Sequence, residues 1–191
     1  MNRDELSRIF RNPPHLYTER VCLRKMMRSD SHDMYEYARR DEVTRYLLWD
    51  PHPSETYTYK YLSYLQSRYR SGDFYDWAVV MRDTYKMIGT CGFTRFNIES
   101  NSAEVGYVLN PDFWGLGIAT EVVSEVVKFG FNELNLNRIE ARYMEGNDRS
   151  RHVMEKVGMT YEGTSRESMH VKGTYVSIGV CAILRSEFYG R

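Results

Sequence analysis

A short segment rich in small residues joins a predicted strand to a predicted helix: Trp114-Gly115-Leu116-Gly117-Ile118-Ala119-Thr120. The strand ends at Leu109, because the following Asn-Pro-Asp favours a turn and proline cannot donate to a strand ladder. The helix follows, because apolar residues recur at helical spacing from Ile118 to Phe131. Small residues let backbone N–H groups approach a ligand, and the first N–H groups of a helix are free and carry the positive end of its dipole. The segment therefore predicts an anion site, most naturally one for phosphate.

Known phosphate-binding loops differ in what they require of this segment. A nucleotide P-loop needs a lysine directly after its last glycine, and none is present here. A dinucleotide-binding loop needs Gly-x-Gly-x-x-Gly directly after the strand, but Thr120 holds the third place and five residues separate Leu109 from Gly115. Glu140 lies near where the ribose-binding acid would fall, so this alternative is weakened and stays open. A loop that only packs a helix on a sheet is the remaining structural alternative.

Length and charge limit the class of protein. The chain has 191 residues, of which 42% are apolar, which predicts one globular domain over residues 1–191, with an extension at 1–16 and a core over about 18–188. Basic and acidic residues number 26 each, which argues against binding to nucleic acid or to an anionic membrane. The sequence shows no apolar run of membrane-spanning length and no signal peptide, so a cytoplasmic protein is expected.

Cysteines and histidines do not form a metal-binding pattern. Cys22, Cys91 and Cys181 lie in strand-like runs without CxxC spacing, which predicts buried free thiols in a reducing compartment. The five histidines are scattered, and His152 and His170 share no ligand spacing. No metal site is predicted.

The elements that position the anion loop follow from periodicity and turn residues. Helices are predicted near residue 9, over 31–40, over 54–71, after Gly117 and over 147–157. Ser54 is the expected N-cap of the helix over 54–71, and Gly72 and Gly158 are expected to end the helices over 54–71 and 147–157. Strands are predicted over 18–24, 75–81, 87–96, 103–109, 136–143, 160–164, 167–171 and 175–184. Lys172-Gly173 is predicted as a hairpin turn. The N-terminal helix could pack on the domain or be a mobile tail.

Two motifs in this order resemble the GNAT superfamily of acetyl-CoA-dependent N-acetyltransferases. Trp114-x-x-Gly117-x-Ala119 resembles the family's pyrophosphate loop, Gln/Arg-x-x-Gly-x-Gly/Ala, with tryptophan in the first place as in the RimJ/RimL branch. The segment from Asn147 to Met159 resembles the family's Asn-x-x-Ser…Glu-Lys-x-Gly-Phe, with methionine for phenylalanine. The resemblance covers about residues 18–188. It implies a mixed α/β (α+β) fold, with a central twisted, mostly antiparallel sheet flanked by helices.

The resemblance implies acetyl-CoA as cofactor and assigns residues to hold it. The pyrophosphate would meet the backbone N–H groups of the segment from Gly115 to Thr120, with Trp114 beside them. The pantetheine arm would run along Val108 and Leu109, where backbone amides would face the acetyl oxygen. Asn147 would bond the pantetheine amides, although it is also a good helix N-cap.

Two residues are expected to move protons. Glu104, two residues into the strand along which the cofactor lies, matches the glutamate that several GNAT enzymes use as base. A protein N-terminal amine has a pKa of about 7.7–8.0, so only a modest base is required. The alternative is a surface carboxylate paired with an arginine. Ser150 lies where RimL-like enzymes place a serine near the cofactor sulfur, so the resemblance implies that it protonates the thiolate leaving group. The alternative is an ordinary residue in the first turn of the helix, without a role in proton transfer.

The acceptor site is expected to be aromatic, with Trp49, His52, Trp77 and Tyr107 as candidates. Tyr57, Tyr61 and Tyr64 lie at a spacing typical of core or interface residues, which leaves a homodimer open. A peptide acceptor would reach the site between residues 49–54 and the turn at 172–173.

Three functions remain in competition. The resemblance favours acetyl transfer to a protein N-terminal amine. A small amine acceptor, such as an aminoglycoside, a polyamine or an amino acid, would keep the fold and change the pocket. A non-catalytic acyl-CoA-binding module would keep only the cofactor loop.

Overall fold

A computed structural model describes residues 2–190, in which eight strands form one sheet in the order β1-β2-β3-β4-β5-β6-β8-β7. The strands are β1 (Leu16–Tyr17), β2 (Val21–Arg24), β3 (Tyr75–Met81), β4 (Met87–Asn97), β5 (Ser102–Leu109), β6 (Arg138–Met144), β7 (Thr160–Val171) and β8 (Thr174–Leu184). Only β5 and β6 are parallel neighbours. This confirms the predicted mixed fold with a mostly antiparallel sheet.

Helices cover both faces of the sheet. They are α1 (Arg3–Arg11), α2 (Ser31–Ala38), α3 (Asp41–Thr44), α4 (Glu55–Ser71), α5 (Ile118–Asn132), α6 (Asp148–Val157) and α7 (Arg185–Tyr189). One face carries the larger core, in which buried residues of α1, α5 and α6 pack on the sheet. The other face packs against α2 and α4. The helix that follows the anion loop, α5, therefore covers only the face with the larger core.

The N-terminal segment is part of the packed domain. Phe10 is fully buried, and its ring lies 5.0 Å from that of Tyr75 and 5.4 Å from that of Trp77. At the other end of the helix, the Asn2 side chain accepts from the N–H of Glu5 and forms a capping box with it. Of the two alternatives for this segment, the structure therefore supports packing on the domain.

The ends of the longer helices follow the predicted capping residues. The Ser54 side chain accepts from the N–H of Tyr57 at the start of α4, and Gly72 ends it at φ 72°. Lys172 and Gly173 have φ of 49° and 82°, which agrees with the predicted two-residue hairpin turn.

Three details differ from the predictions. The short helix α3 was missed, because four residues are too few to show a period. The two strands predicted over 160–171 form one irregular strand, in which Glu167 has φ 48°. Cys22 is partly exposed rather than buried, because every second side chain of its four-residue strand is only partly covered, whereas Cys91 and Cys181 are buried free thiols.

Candidate active site

A cleft opens where β5 and β6 separate. The two strands pair only over Ser102–Glu104 and Arg138–Glu140, while β5 continues to Leu109. The cleft measures about 990 Å³, and Tyr107, Val108 and Leu109 line it. Backbone groups of β5 that face away from β4 have no strand partner on this side, so they can bond a ligand.

The anion loop forms one end of this cleft. Gly117 is the N-cap of α5 at φ 78°, and no side chain caps the helix. The N–H groups of Ile118, Ala119 and Thr120 are consequently without an intrahelical acceptor, and all three residues line the cleft. Gly115, at φ 77°, leaves open space where a side chain would lie. This cradle fits an anion, as the sequence predicts.

Arg20 holds the loop from outside the cleft. Its guanidinium bonds Glu121 (Nε–Oε2, 2.7 Å) in the first turn of α5 and donates to the carbonyl of Leu116 at 2.8 Å. Burial raises the pKa of Glu121, but hydrogen bonds from Thr18 and Arg20 outweigh this and lower it overall. Leu116 is 55% exposed and does not line the cleft. Among the predicted loop residues, it therefore contributes only the carbonyl that Arg20 binds.

Trp114 joins the loop to the strand before it and to α6. Its indole Nε1 donates to the carbonyl of Leu109 at 2.9 Å. The guanidinium of Arg149 lies over its ring, 5.1 Å from the centroid. Trp114 therefore supports the cleft as well as lining it.

Basic side chains line the cleft although the chain as a whole has no net charge. Arg45, Arg149 and Lys156 all contribute to its lining. None of the three was predicted from the sequence to have a role, even though Arg149 and Lys156 lie inside the second motif. Tyr46 closes the cleft on the same side, since its hydroxyl donates to the carbonyl of Gly146 at 3.0 Å.

Tyr107 and Ser150 meet inside the cleft. The Tyr107 Oη lies 2.8 Å from Ser150 Oγ and also donates to the Ser150 carbonyl at 2.9 Å. Burial raises the pKa of Tyr107 well above its usual range, so its hydroxyl stays protonated. Asn147 lines the cleft as well, while its Oδ1 accepts from the N–H of Ser150 at 3.3 Å and so caps α6. Tyr107, proposed for the acceptor, thus lies beside the residue proposed for the leaving group.

Comparison with known proteins identifies this arrangement. The family model described as "Acetyltransferase (GNAT) domain" matches residues 20–160. The chain belongs to the GNAT acetyltransferase family. It is 32% identical to the N-acetyltransferase p20 of Bacillus licheniformis over 175 residues, which covers 92% of this chain and 98% of the relative. It is 33% identical to the N-acetyltransferase YoaA of Bacillus subtilis over 172 residues, which covers 90% and 97%. A GNAT-family acetyltransferase structure from Bacillus anthracis superposes with a TM-score of 0.82 at 26% identity and covers 91% of this chain and 100% of that one.

The protein is thus a GNAT acyltransferase that uses acetyl-CoA, and the cleft fits this cofactor. The uncapped α5 N-terminus and the open space at Gly115 suit a pyrophosphate, and the free edge of β5 suits the amide-bearing pantetheine arm. In the part of the chain that the structure describes, no three His, Cys, Asp or Glu residues are placed to hold a metal ion. Within the same residues, no helix is long and apolar enough to cross a membrane.

Glu104 lies at the narrow end of this GNAT cleft, outside its lining. Its Oε2 is 3.1 Å from Arg95 Nη2 and 3.4 Å from Arg142 Nε. Glu104 is therefore paired with arginines, as the alternative to a base predicts. Glu104 still lies on the same sheet face as Val108, four residues away along β5, or about 13 Å.

The predicted acceptor residues are only partly brought together. Trp49 and His52 pack ring against ring at 5.3 Å, and His52 also contacts Tyr57 and Tyr61, so we call these four residues the aromatic cluster. None of the four lines the cleft itself. His52 is 8% exposed, with Nδ1 2.8 Å from Thr58 Oγ1, and burial lowers its pKa.

Trp77 is not an acceptor residue. It is fully buried in the larger core, and its Nε1 donates to the carbonyl of Pro14. Strand alternation predicted that one face of β3 is buried but could not show that α1 covers the face that carries Trp77.

The predicted peptide route is bridged. Lys172 at the hairpin turn donates to the carbonyl of Thr44 at 2.8 Å and lies 3.6 Å from Asp50. The Lys172 side chain thus spans the groove along which the peptide route is predicted, and the route stays a prediction.

Proposed function

We propose that this GNAT enzyme acetylates a primary amine at a protein N-terminus, as in the RimJ/RimL branch. The observation that carries the proposal is the cleft that joins the uncapped α5 N-terminus to the unpaired edge of β5. Trp49 and Tyr61 of the aromatic cluster pack, with Val108, on the sheet face that α2 and α4 cover. Aromatic side chains suit the backbone and side chains of a peptide, whereas a polycationic small molecule would need a dense acidic pocket.

One solved structure with this fold belongs to an enzyme named for a protein acceptor. The ribosomal-protein-S5-alanine acetyltransferase of Vibrio fischeri has the same fold, with a TM-score of 0.74 at 22% identity. At this identity the likeness concerns the fold alone, so the acceptor of the present chain is our proposal.

The reaction requires the chain to bind acetyl-CoA, to orient the two reactants and to move protons. When bound, acetyl-CoA supplies an acetyl thioester and a thiolate leaving group. N–H groups at the α5 N-terminus bind its phosphates, aided by Arg45, Arg149 and Lys156. Ser150 Oγ gives its proton to the thiolate leaving group and regains one from Tyr107 Oη across 2.8 Å; water in the cleft then reprotonates Tyr107.

Glu104 is the base that we propose from the sequence. An acceptor ammonium loses two protons on its way to an amide, so more than one acceptor for protons is useful. Glu104 must release Arg95 or Arg142 in part to accept one, which suits a later step better than the first capture of the ammonium.

A small cationic amine is the second candidate acceptor. The spermidine N(1)-acetyltransferase of Vibrio cholerae is 27% identical over 113 residues, 59% of this chain. The observation that favours such an acceptor is the Asp76 carboxyl on β3, on which no cationic side chain of residues 2–190 acts.

The test is an acetyl-CoA thiol-release assay with matched acceptors. We expect turnover with a short peptide that has a free N-terminus and none with the same peptide after N-terminal blocking. Binding of acetyl-CoA without turnover of any amine would refute the proposed function while leaving the cofactor site intact.

A further inference from the structure

Residues 40–46, which include α3, form one wall of the cleft, and we call them the strap. The strap packs on the layer opposite α5, because Val43 lies in the core formed with α2 and α4. Its first residue, Arg40, and its last, Tyr46, each bond a different side of the cleft. The cleft-lining residues of the strap are Glu42, Val43, Arg45 and Tyr46.

Arg40 bonds the strap to the segment that follows β5. Its Nη1 donates to Asp112 Oδ1 at 2.8 Å and lies 3.5 Å from Asn110 Oδ1. Its Nε donates to Glu42 Oε1 at 2.8 Å, within the strap itself. Asp112 belongs to the short connection between β5 and the anion loop. Arg40 therefore holds the backbone that leads into α5.

Tyr46 bonds the other end of the strap to the segment that follows β6. Its hydroxyl donates to the Gly146 carbonyl at 3.0 Å. Gly146 has φ 90°, a conformation that glycine adopts without the strain of a side chain. The next residue, Asn147, is the N-cap of α6. Tyr46 therefore holds the peptide unit that leads directly into α6.

The middle of the strap is also held. Lys172 of the β7–β8 hairpin donates to the Thr44 carbonyl at 2.8 Å. Val43 and Thr44 are buried, with 6% and 2% of their surface exposed. A segment that is packed in its middle and bonded at both ends fixes the positions of the two segments to which it is bonded.

Both of these segments lead into helices whose first turns line the cofactor cleft. Ile118, Ala119 and Thr120 of α5 offer free N–H groups, and Asn147 and Ser150 lie at the start of α6. A ligand that contacts both helices requires them at a defined separation, within about 0.5 Å. Its affinity is higher when that separation exists before binding, because binding then involves no ordering of the protein.

We propose that the strap sets the separation between the first turns of α5 and α6, and that Arg40 and Tyr46 are positioning residues for acetyl-CoA. Loss of either bond frees one end of the strap. The cofactor must then bring the two helices into place as it binds, so its affinity falls. The inference concerns the cofactor site alone and goes beyond the choice of acceptor amine.

The Kd for acetyl-CoA, measured by isothermal titration calorimetry without an acceptor, tests the Tyr46 bond. Tyr46→Phe removes one hydroxyl group and keeps the ring. Tyr189→Phe is the matched control, because the Tyr189 hydroxyl also makes one hydrogen bond, to Asn132 at the last residue of α5. We expect the Kd to rise about threefold to tenfold for Tyr46→Phe, as for the loss of one hydrogen bond, and to stay within twofold for Tyr189→Phe.

The same measurement tests the Arg40 bond. Arg40→Gln removes the ion pair with Asp112, and Arg68→Gln is the matched control, because Arg68 pairs with Asp73 at a similar exposure. We expect a rise of about threefold to tenfold for Arg40→Gln and a change within twofold for Arg68→Gln. Arg40→Lys keeps a positive charge beside Asp112 and should bind acetyl-CoA more tightly than Arg40→Gln. The double variant with Tyr46→Phe should bind little worse than the weaker single variant, since one free end already releases the separation.

Melting temperatures without ligand distinguish positioning from a general loss of stability. Those of Tyr46→Phe and Arg40→Gln should fall no further than those of their controls, which lose bonds of the same kind. The inference is overturned if either strap variant binds acetyl-CoA within twofold of the wild type. It is equally overturned if a control loses as much affinity as the variant it is matched to.

Discussion

The Tyr107 hydroxyl lies 2.8 Å from Ser150 Oγ, so a strand residue and a helix residue 43 positions apart share one proton pathway. Both residues line the cleft. In the proposed reaction this pair serves the leaving group.

This pathway predicts coupled effects of Tyr107→Phe and Ser150→Ala. Each should lower kcat about tenfold or more while leaving KM for the peptide nearly unchanged, because the bonded pair is proposed to act at the leaving group rather than in binding the acceptor. The double variant should lose little beyond the worse single variant, since both act through one proton. Steady-state kinetics of the three variants provide the check, and fully multiplicative losses would show that the two hydroxyls act independently.

The anion loop should depend on small residues. Ala119→Leu would place a side chain among the free N–H groups of α5 and should abolish the stabilisation by acetyl-CoA, which follows RT ln(1 + [L]/Kd). Leu116→Ala is the matched control, because this side chain points away from the cleft, and it should retain the shift. Differential scanning fluorimetry with acetyl-CoA and with NAD tests both variants. Stabilisation of the wild type by NAD alone would favour a dinucleotide site instead.

Arg20 should matter for the cofactor although it lies outside the cleft. Arg20→Gln removes the ion pair with Glu121 and loosens the Leu116 carbonyl, so we expect a several-fold rise in the Kd for acetyl-CoA. Arg82→Gln is a suitable comparison, since Arg82 bonds the nearby carbonyls of Thr18 and Glu19 without touching the loop. Equal Kd values for wild type and Arg20→Gln by calorimetry would remove this anchoring role.

The Asp76 carboxyl should make the free energy of unfolding depend on pH. Its pKa is raised to about 7 in the folded chain and is near 3.8 in the unfolded chain, so ionisation increasingly favours unfolding as the pH rises from about 4 to 7. Asp76→Asn lacks this cost. Its melting temperature should match the wild type near pH 4 and exceed it by about 3 °C or more at pH 8. A constant difference across this pH range would contradict the raised pKa.

Local features of this chain were predictable from sequence, and long-range ones were not. The caps at Ser54, Asn147 and Gly158 were predicted, because capping depends on a few neighbouring residues. The anion loop followed from the glycines and from the period of the next helix. In contrast, Arg20 meets Glu121 across 101 positions, and no local pattern shows that contact.

The predicted acceptor residues also depended on long-range contacts that the sequence does not show. Trp77 looked like a pocket residue because aromatic residues often line pockets, but α1 covers it. Asp76, its neighbour, points to the other face of the sheet. No local pattern shows that Tyr37 of α2 and Tyr69 of α4 lie close to it.

Acetylation of a protein N-terminus is tested by comparing acceptors. Values of kcat/KM are measured for a short peptide with a free N-terminus, the same peptide with a blocked N-terminus, and spermidine. We expect turnover of the free peptide, at least about tenfold above spermidine, and no turnover of the blocked peptide. A tenfold preference for spermidine, about 1.4 kcal/mol in transition-state discrimination, would contradict acetylation of a protein N-terminus and leave the GNAT fold and the acetyl-CoA site in place.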